Sequence, residues 1–423
     1  MTLNIPSSPW RSAKTSHWAA LSGPDNLANW RLSYARPLPK SHRKALIEYG
    51  IMAGAVRFNS NRLGLIAIAI IITFILFQTT EFRKRSWSCK TLSSCIGPGV
   101  RPHTYHHWDN VDENLKVATS EKTFRDGTVL FHRQTEDSDP EILVLVLNKD
   151  EHSWSKDFRS TSRNIYDFVD LLVSTDLDFT KVTLGLMTSS REQFDAAKKA
   201  TQALPFGRVA LFYREDHGPD IDYSDRHNPD VQLQRRAAIA GLRNYLMLRA
   251  LRDERHIVWI DADIVELSGG IVQAMVGHAA RRADVGIVTA LCSQTLTYNY
   301  DKNAWALDRR APPLLGPVAD DQRDAAVAQL VATRTYVDEL ITGTRDADLV
   351  PLDSVGGTIL YVRAELVRQG VNFPTFNVVG TTWSRDGWIG VETEGICYQA
   401  SRLQGGGCFV LGGSHSVRHA DQS

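Results

Sequence analysis

Apolar and amphipathic segments alternate through the second half of the chain. The run at 141–148, EILVLVLN, is typical of a buried parallel strand because it lacks polar alternation. Residues 162–174 then carry apolar side chains at helical spacing. Strands that alternate with helices predict an α/β domain with a mainly parallel sheet. The predicted strands are 141–148, 181–190, 208–215, 256–267 and 285–291, and the predicted helices are 162–174, 192–204 and 234–251.

A longer apolar run lies upstream, at 63–80. Its 18 residues carry no charge, and as a helix they would extend roughly 27 Å, close to the thickness of a thin bilayer. We therefore predict a single transmembrane helix, with a buried core segment as the alternative. The 62 preceding residues argue against a cleaved signal peptide. Their basic, acid-poor composition leaves a mitochondrial transit peptide open.

The organisation that follows has four regions. Residues 1–62 form a basic tail that we expect to be mostly disordered, 63–80 an anchor, 81–140 a stem with few strand patterns, and 141–423 the catalytic domain. Residues 306–350, rich in Arg and Asp, are expected to form a loop over the acceptor side. Cys89 and Cys95 in the stem could pair in an oxidising compartment or remain free thiols.

The charge balance hides a difference between these regions. The 423 residues hold 48 Lys plus Arg and 48 Asp plus Glu, and 43% are hydrophobic, which is a globular composition. Zero net charge argues against a protein that wraps nucleic acid over its surface. Residues 1–62 hold nine basic and two acidic side chains, so the tail is +7 and the remainder is −7. Four basic residues flank each side of the apolar run, so the positive-inside rule assigns no orientation.

An acidic pair follows the predicted strand at 256–260. Asp261 and Asp263 are two residues apart, so on a strand their carboxylates point the same way. Ligands of open α/β sheets bind beyond the carboxyl ends of the strands. Hard oxygen ligands suit Mg²⁺ or Mn²⁺, which can bridge a diphosphate and assist its departure. This D-x-D arrangement indicates a nucleotide-sugar transferase, although many such triplets are only solvated turns or helix caps.

Four blocks extend the resemblance beyond this triplet. The chain resembles the fungal mannan-polymerase subunit family, glycosyltransferase family 62, over roughly residues 141–421. The blocks are DRHNPDVQLQRRAAIAGLRNYLMLRAL, WIDADIVE, YDKNAW, and LDSVGGTILYVRAELVRQGVNFP followed by VETEG and a late V-x-H. The resemblance implies a GT-A-like, Rossmann-like nucleotide-sugar-binding domain behind a single transmembrane helix. After the first strand the family usually has a Thr-Pro-like turn, whereas this chain has LNKDE.

The resemblance also implies roles for the donor site. Asp263 would bind Mn²⁺ (or Mg²⁺) directly, and Asp261 would hold the ribose or reach the metal through water. Arg243 could bind the diphosphate, with a surface ion pair as the alternative. Asn148, at the end of the first strand, should approach the nucleoside. His419 matches the late histidine and is the expected histidine ligand of the metal.

Acidic residues later in the chain are candidates for the reaction itself. Asp353, Glu392 and Glu394 could act as nucleophile or as base towards the acceptor, and double displacement and same-face internal return both remain open. His415 is the alternative to His419 as metal ligand. Trp305 and Tyr300 could stack on a sugar or belong to the core.

The expected function is that of a type II Golgi membrane protein with a lumenal catalytic domain. It would transfer mannose from GDP-mannose to a mannan or N-glycan acceptor in α linkage, with α-1,6 expected, in a hetero-complex with other mannosyltransferase subunits. The alternatives are a non-catalytic scaffold subunit of such a complex and a transferase with another nucleotide-sugar donor. No nucleic-acid partner is expected.

Overall fold

A mixed β-sheet forms the centre of the computed structural model, which describes residues 116–156, 162–202, 204–215, 229–308 and 318–420. The strands are β1 (Val117–Thr123), β2 (Val129–Thr135), β3 (Ile142–Asn148), β4 (Val182–Thr188), β5 (Arg208–Tyr213), β6 (His256–Ile260), β7 (Ile264–Leu267), β8 (Val285–Thr289), β9 (Leu291–Ser293), β10 (Trp305–Leu307), β11 (Arg334–Tyr336), β12 (Leu349–Pro351), β13 (Ile359–Arg363), β14 (Gly407–Leu411) and β15 (Ser416–His419). The helices are α1 (Ile165–Val173), α2 (Arg191–Gln202), α3 (Pro229–Ala250), α4 (Ile271–Arg281), α5 (Arg323–Ala332), α6 (Val337–Leu340), α7 (Ala364–Arg368) and α8 (Thr393–Ala400).

Ten of the described strands make one sheet in the order β1-β2-β5-β4-β3-β6-β13-β8-β14-β12. Its central strands β5, β4, β3 and β6 are parallel neighbours. Strand β13 runs antiparallel between β6 and β8. The carboxyl ends of β3, β4 and β6 therefore meet the amino end of β13 at one edge of the sheet. Two small sheets, β10-β11 and β7-β15-β9, complete the pairing among the described residues.

Helices cover both faces of this sheet because side chains alternate along each buried strand. On β3, Val144 and Val146 belong to a core shared with α1, α2 and α4. Leu143 and Leu145 of the same strand belong to a second core, shared with α3, α7 and α8. All four side chains are fully buried. This two-sided burial explains why β3 is a continuous apolar run.

Each predicted strand and helix overlaps an element of the structure, in the predicted order, but the structure has further strands and helices and the ends differ. Strand 256–267 is broken into β6 and β7 at the acidic triplet, and strand 285–291 ends at Thr289 before β9 begins. The stretch 306–350 contains α5, β11 and α6 instead of being only a loop. The sheet is also mixed, because β13 and the β1-β2 pair enter it antiparallel.

The sheet also begins earlier than the predicted domain boundary at residue 141. Strands β1 and β2 lie within the stretch predicted to be a stem, and β2 pairs with β5 along its length. Among the described residues, no helix is long and apolar enough to cross a membrane. The predicted anchor at 63–80 and the thiols Cys89 and Cys95 lie outside those residues, so both remain predictions.

Candidate functional site

The acidic triplet forms a turn at the carboxyl edge of the sheet. Strand β6 ends at Ile260, and the backbone N–H of Asp261 donates to the carbonyl of Thr358 at 3.1 Å. The N–H of Ile264 then donates back to the Asp261 carbonyl at 3.1 Å, which closes the turn. Between the two acids, Ala262 is buried. Its carbonyl accepts a hydrogen bond from Nη1 of Arg163 at 3.1 Å, which fixes the turn from behind.

His419 lies directly against Asp263. Its Nε2 is 2.9 Å from Oδ2 of Asp263, and the Ala420 N–H donates to the Asp263 carbonyl at 2.8 Å. Strand β15 delivers the histidine by pairing with β7, with a register shift at His419. The sequence left His415 as a rival, and the structure places His419, not His415, at the acidic pair. The Tyr300 ring stacks on the imidazole with centroids 4.1 Å apart.

The electrostatics of this pair follow from its contacts. Nδ1 of His419 lies 2.7 Å from the Ala420 carbonyl and 3.3 Å from the amide nitrogen of Gln294, whereas Nε2 faces the Asp263 carboxylate. Burial alone would lower the pKa of His419, but the hydrogen bond and charge of Asp263 raise it overall. Burial would raise the pKa of Asp263, and the same pairing with His419 lowers it overall.

These two side chains fit a divalent metal. Neighbouring ligands of an octahedral ion, each bound at about 2.1 Å, lie about 3.0 Å apart, and the Asp263–His419 contact is 2.9 Å. A proton on Nδ1, donated to a backbone carbonyl, leaves Nε2 as the ligating nitrogen. Within the described residues, no group of three or more His, Cys, Asp or Glu side chains could hold a metal.

Arg243 joins the acidic turn to a second pair of carboxylates. Its Nη2 lies 2.8 Å from Oδ1 of Asp261, and its Nε lies 3.2 Å from Oε1 of Glu392. The guanidinium is buried between the rings of Trp259 and Phe373. Its Nη1 is buried and has no hydrogen-bond partner among the described residues. An anionic ligand at this position would supply the missing acceptor.

Charges continue to alternate beyond Arg243. Glu392 also contacts Arg236 at 3.5 Å, and Arg236 contacts Glu394 at 3.3 Å. Glu394 in turn contacts Arg334 of β11 at 2.7 Å. We call the series Asp261–Arg243–Glu392–Arg236–Glu394–Arg334 the charge ladder. Each glutamate in it is held by two arginines.

The pKa of Asp261 reflects its place at the end of this ladder. Burial raises its pKa to about 7, against the lowering influence of Arg243, and the nearby carboxylates of Asp263 and Glu392 add to the increase. Ionisation of the Asp261 carboxyl group therefore costs free energy in this buried, acidic environment. A divalent cation or a ribose hydroxyl beside it would relieve that cost.

The glycine pair Gly356-Gly357 closes the site opposite the acidic turn. The Asp301 carboxylate accepts from the Gly357 N–H at 2.9 Å and lies within 3.4 Å of the Thr358 N–H. A Cβ on Gly356 would lie 2.1 Å from Oδ2 of Asp301, and one on Gly357 would lie 2.9 Å from Nη2 of Arg243. Glycine is thus required because backbone and carboxylate are in close contact here.

Other predicted residues lie in structural contacts. Asn148 is at the carboxyl edge as expected, but its Oδ1 accepts from Thr188 at 2.8 Å and its amide donates to the Asp150 carbonyl at 2.8 Å. Asp353 accepts the Leu307 backbone N–H at 2.7 Å, which holds β10 in place. Trp305 is 3% exposed beneath the Arg334 guanidinium, so it belongs to the core and not to a sugar surface.

Three contributors to the site, Arg163, Asp301 and Arg334, were missed from the sequence. Asp301 lies inside the block YDKNAW, so that block held the information without showing which residue carried it. Arg334 has no recognisable pattern around it. It reaches Glu394 because the segment expected to be a loop folds back as α5 and β11.

Comparison with known protein families identifies the family of this chain. The Anp1 family model matches residues 130–377, more than half of the chain, so the chain belongs to the Anp1 family of fungal mannan-polymerase subunits. The resemblance seen in the sequence motifs is thereby confirmed.

The chain is similar to curated relatives in sequence and more weakly similar to solved structures. The mannan polymerase complex subunit mnn9 of Schizosaccharomyces pombe is 26% identical over 333 residues, covering 75% of this chain and 93% of that protein. The Candida albicans subunit MNN9 is 26% identical over 242 residues, which is 55% of this chain and 63%, less than two thirds, of that protein. A Pyrobaculum calidifontis mannosyltransferase solved with GDP-Man and Mn²⁺ is 12% identical, with a TM-score of 0.34 over 67% of this chain and 58% of that chain.

Proposed function

We propose that this chain is an α-mannosyltransferase that uses GDP-mannose and Mn²⁺, or Mg²⁺ in its place. The acceptor is a mannan or an N-glycan, the product linkage is α, with α-1,6 expected, and the stereochemistry is retained. The observation that carries the proposal is the convergence of Asp261, Asp263, His419 and Arg243 at the carboxyl edge of the sheet. Membership of the Anp1 family and the names of its relatives support mannan as the product class. We also propose that the α/β domain has the GT-A fold.

The residues divide the work of binding the donor. Asp263 and His419 would hold the metal, which when bound supplies positive charge to the departing diphosphate. Arg243 adds a second cation, and its unpaired Nη1 is a ready donor for a phosphate oxygen. Asp261 accepts a ribose hydroxyl or a metal-bound water. Asn148, already bonded to Thr188 and Asp150, would support the nucleoside end of the same edge.

The ladder also bears on how the sugar is transferred. Glu392 and Glu394 each have both carboxylate oxygens in contact with arginines. A carboxylate held in this way is a weak nucleophile, because the arginines stabilise its charge in the ground state. We therefore favour same-face internal return over double displacement through either glutamate. Their role is to fix Arg243 and Arg236.

The proposed setting is the Golgi lumen, behind a single-pass type II anchor at 63–80 and in complex with other mannosyltransferase subunits. The disulfide between Cys397 and Cys408, with a Cα–Cα distance of 6.0 Å, supports an oxidising compartment for the domain. The names of the relatives, which are subunits of mannan polymerase complexes, support the hetero-complex.

One assay tests the proposal. The full-length chain in detergent, alone and with the subunits that co-purify with it, is incubated with GDP-mannose, Mn²⁺ and an α-mannobiose acceptor. We expect a mannosylated product, and a loss of at least about 100-fold in Asp263→Asn. Asp137→Asn is the matched control, because Asp137 is exposed and its φ of 58° suits Asn equally well.

The outcomes separate the alternatives. Mn²⁺-dependent GDP binding without transfer would favour a scaffold subunit, and transfer from another sugar nucleotide would replace the donor. The absence of both GDP binding and transfer would overturn the proposal. Full activity in Asp263→Asn would remove the metal role.

A further inference from the structure

A β-hairpin with a solvent-exposed tryptophan directly precedes Glu392 and Glu394 in the chain. Backbone bridges join Val379 to Ile389 and Thr382 to Arg385, and Trp383 lies in the turn between them. The Trp383 side chain is 108% exposed, whereas Trp154, Trp259, Trp305 and Trp388 are all at least nine-tenths buried. Among the described tryptophans, Trp383 is therefore the one whose whole ring is available for a ligand to stack on.

The hairpin is a rigid support for this residue. Trp388 packs beneath Gly380, where a Cβ would lie 1.6 Å from its indole nitrogen. It belongs to a small core with Trp305, Leu330 and Ile389. Arg323 of α5 donates to the Gly387 carbonyl at the base of the hairpin. These contacts fix the backbone of the hairpin that carries Trp383.

The surroundings of Trp383 identify the kind of ligand. The ring borders a shallow cleft that is widely open to solvent. The other residues that line the cleft are Arg323, Thr382, Ser384, Arg385 and Asp386. One aromatic face ringed by hydrogen-bonding groups matches a sugar, which has an apolar C–H face and a rim of hydroxyls. A protein interface would need a more extended apolar centre.

The position of the hairpin relates the cleft to the transfer site. Its second strand continues to Val391, whose carbonyl accepts from Arg236 at 2.8 Å, and then to Glu392 in the ladder. Nine residues separate Trp383 from Glu392, so the two lie at most about 30 Å apart. A sugar bound at Trp383 would therefore lie within the span of an oligosaccharide whose end is at the transfer site.

We propose that Trp383 and the polar side chains around it form a carbohydrate subsite for the acceptor, several sugar residues from the point of transfer. The ligand class is a neutral mannose oligosaccharide. This inference rests on the proposed function for the direction of transfer, but the binding it describes is measurable without transfer.

The kinetic test compares acceptors of different length. In the full-length chain, Trp383→Ala should raise the KM for α-mannohexaose about tenfold, the scale of one lost aromatic contact. The KM for α-mannobiose, the KM for GDP-mannose and kcat should stay the same. Trp383→Phe should restore most of the loss because it keeps a stacking face. Leu248→Ala is the matched control, since Leu248 is 60% exposed near the end of α3.

A binding test keeps this proposal separate from the enzyme assignment. Calorimetric titration of the full-length chain with α-mannohexaose should show binding that Trp383→Ala weakens about tenfold, while Mn²⁺-dependent GDP binding is unchanged. That result supports the subsite even if no transfer is observed. Equal hexaose affinity in wild type and Trp383→Ala, or no hexaose binding by wild type, would overturn it. Loss of co-purifying subunits in Trp383→Ala, with hexaose affinity intact, would also overturn it and assign the hairpin to a protein interface.

Discussion

Replacing Glu394 with glutamine should destabilise the fold because the charge ladder depends on this carboxylate. Glu394 contacts Arg334 at 2.7 Å and Arg236 at 3.3 Å, and its side chain is 9% exposed. Glutamine has nearly the same shape, so Glu394→Gln removes the charge without opening a cavity. Two poorly solvated guanidinium groups then lose their shared partner.

The size of the effect follows from these distances. At an effective dielectric constant of about 20, each contact corresponds to about 5–6 kcal/mol of Coulomb attraction before desolvation is subtracted. Breaking a buried ion pair by removing one partner costs about 3–5 kcal/mol. The glutamine Oε1 can still accept one hydrogen bond, so we expect a loss of about 3 kcal/mol in the free energy of unfolding.

Urea unfolding of the full-length chain, followed by tryptophan fluorescence, measures this loss as a lower midpoint with unchanged slope. Glu141→Gln is the matched control: Glu141 pairs with Arg255 at 2.6 Å, but their side chains are 38% and 67% exposed. That substitution should cost less than about 1 kcal/mol.

A double-mutant cycle tests the contact itself. The cost of Glu394→Gln should fall by at least about 1 kcal/mol when Arg334 is already replaced by methionine, because one of the stranded charges is then absent. Additive costs, or equal costs for Glu394→Gln and Glu141→Gln, would refute the ladder as a stabilising element.

Three further predictions concern other parts of the fold. Reduction of Cys397–Cys408, which closes a loop of sequence separation 11, should lower the free energy of unfolding by about 3 kcal/mol; the double alanine variant should not respond to reductant, and an equal response would contradict this. Burial, with two neighbouring arginines, lowers the pKa of His132 to about 4, so the unfolded chain binds more protons between pH 4 and about 6.5 and stability should fall as the pH drops through that window. His132→Gln should reduce the change in the urea midpoint between pH 7 and pH 5. A change as large as that of the wild type would exclude His132 as the cause. Gly356→Ala places a Cβ 2.1 Å from the Asp301 carboxylate, which should cost about 1–3 kcal/mol and weaken GDP binding; unchanged affinity by calorimetry would show that the turn is not part of the donor site.

The sequence was sufficient for the elements whose burial is regular along the chain. Strand β3 was predicted within one residue because both of its faces pack against helices, which leaves a continuous apolar run. Strands β1 and β2 were missed for the opposite reason. Most side chains of β1 are exposed, and in β2 only Arg133 and Thr135, both polar, are buried, so neither strand has a run of buried apolar residues.

The acidic turn shows a similar limit within the site. Asp261 and Asp263 were found because a strand end gives a local pattern, and His419 because the late V-x-H motif matched a family. The apolar residues on either side of Asp261 and Asp263 predicted one long strand, whereas the backbone turns there and β7 joins a separate small sheet. The polar triplet itself was the point at which the strand had to end.

The charge ladder had no local pattern because each of its contacts joins distant parts of the chain. Arg236 and Glu394 are separated by 158 positions, and Arg334 and Glu394 by 60. Helix α3 brings two arginines to one face because they are seven positions apart, but their partners depend on where α8 begins and how β11 folds back. The same separation changes the role assigned to Glu392 and Glu394. As isolated acids near a sugar site they were candidate nucleophiles, whereas carboxylates each held by two arginines are suited to fixing those arginines against the negative charge of a donor.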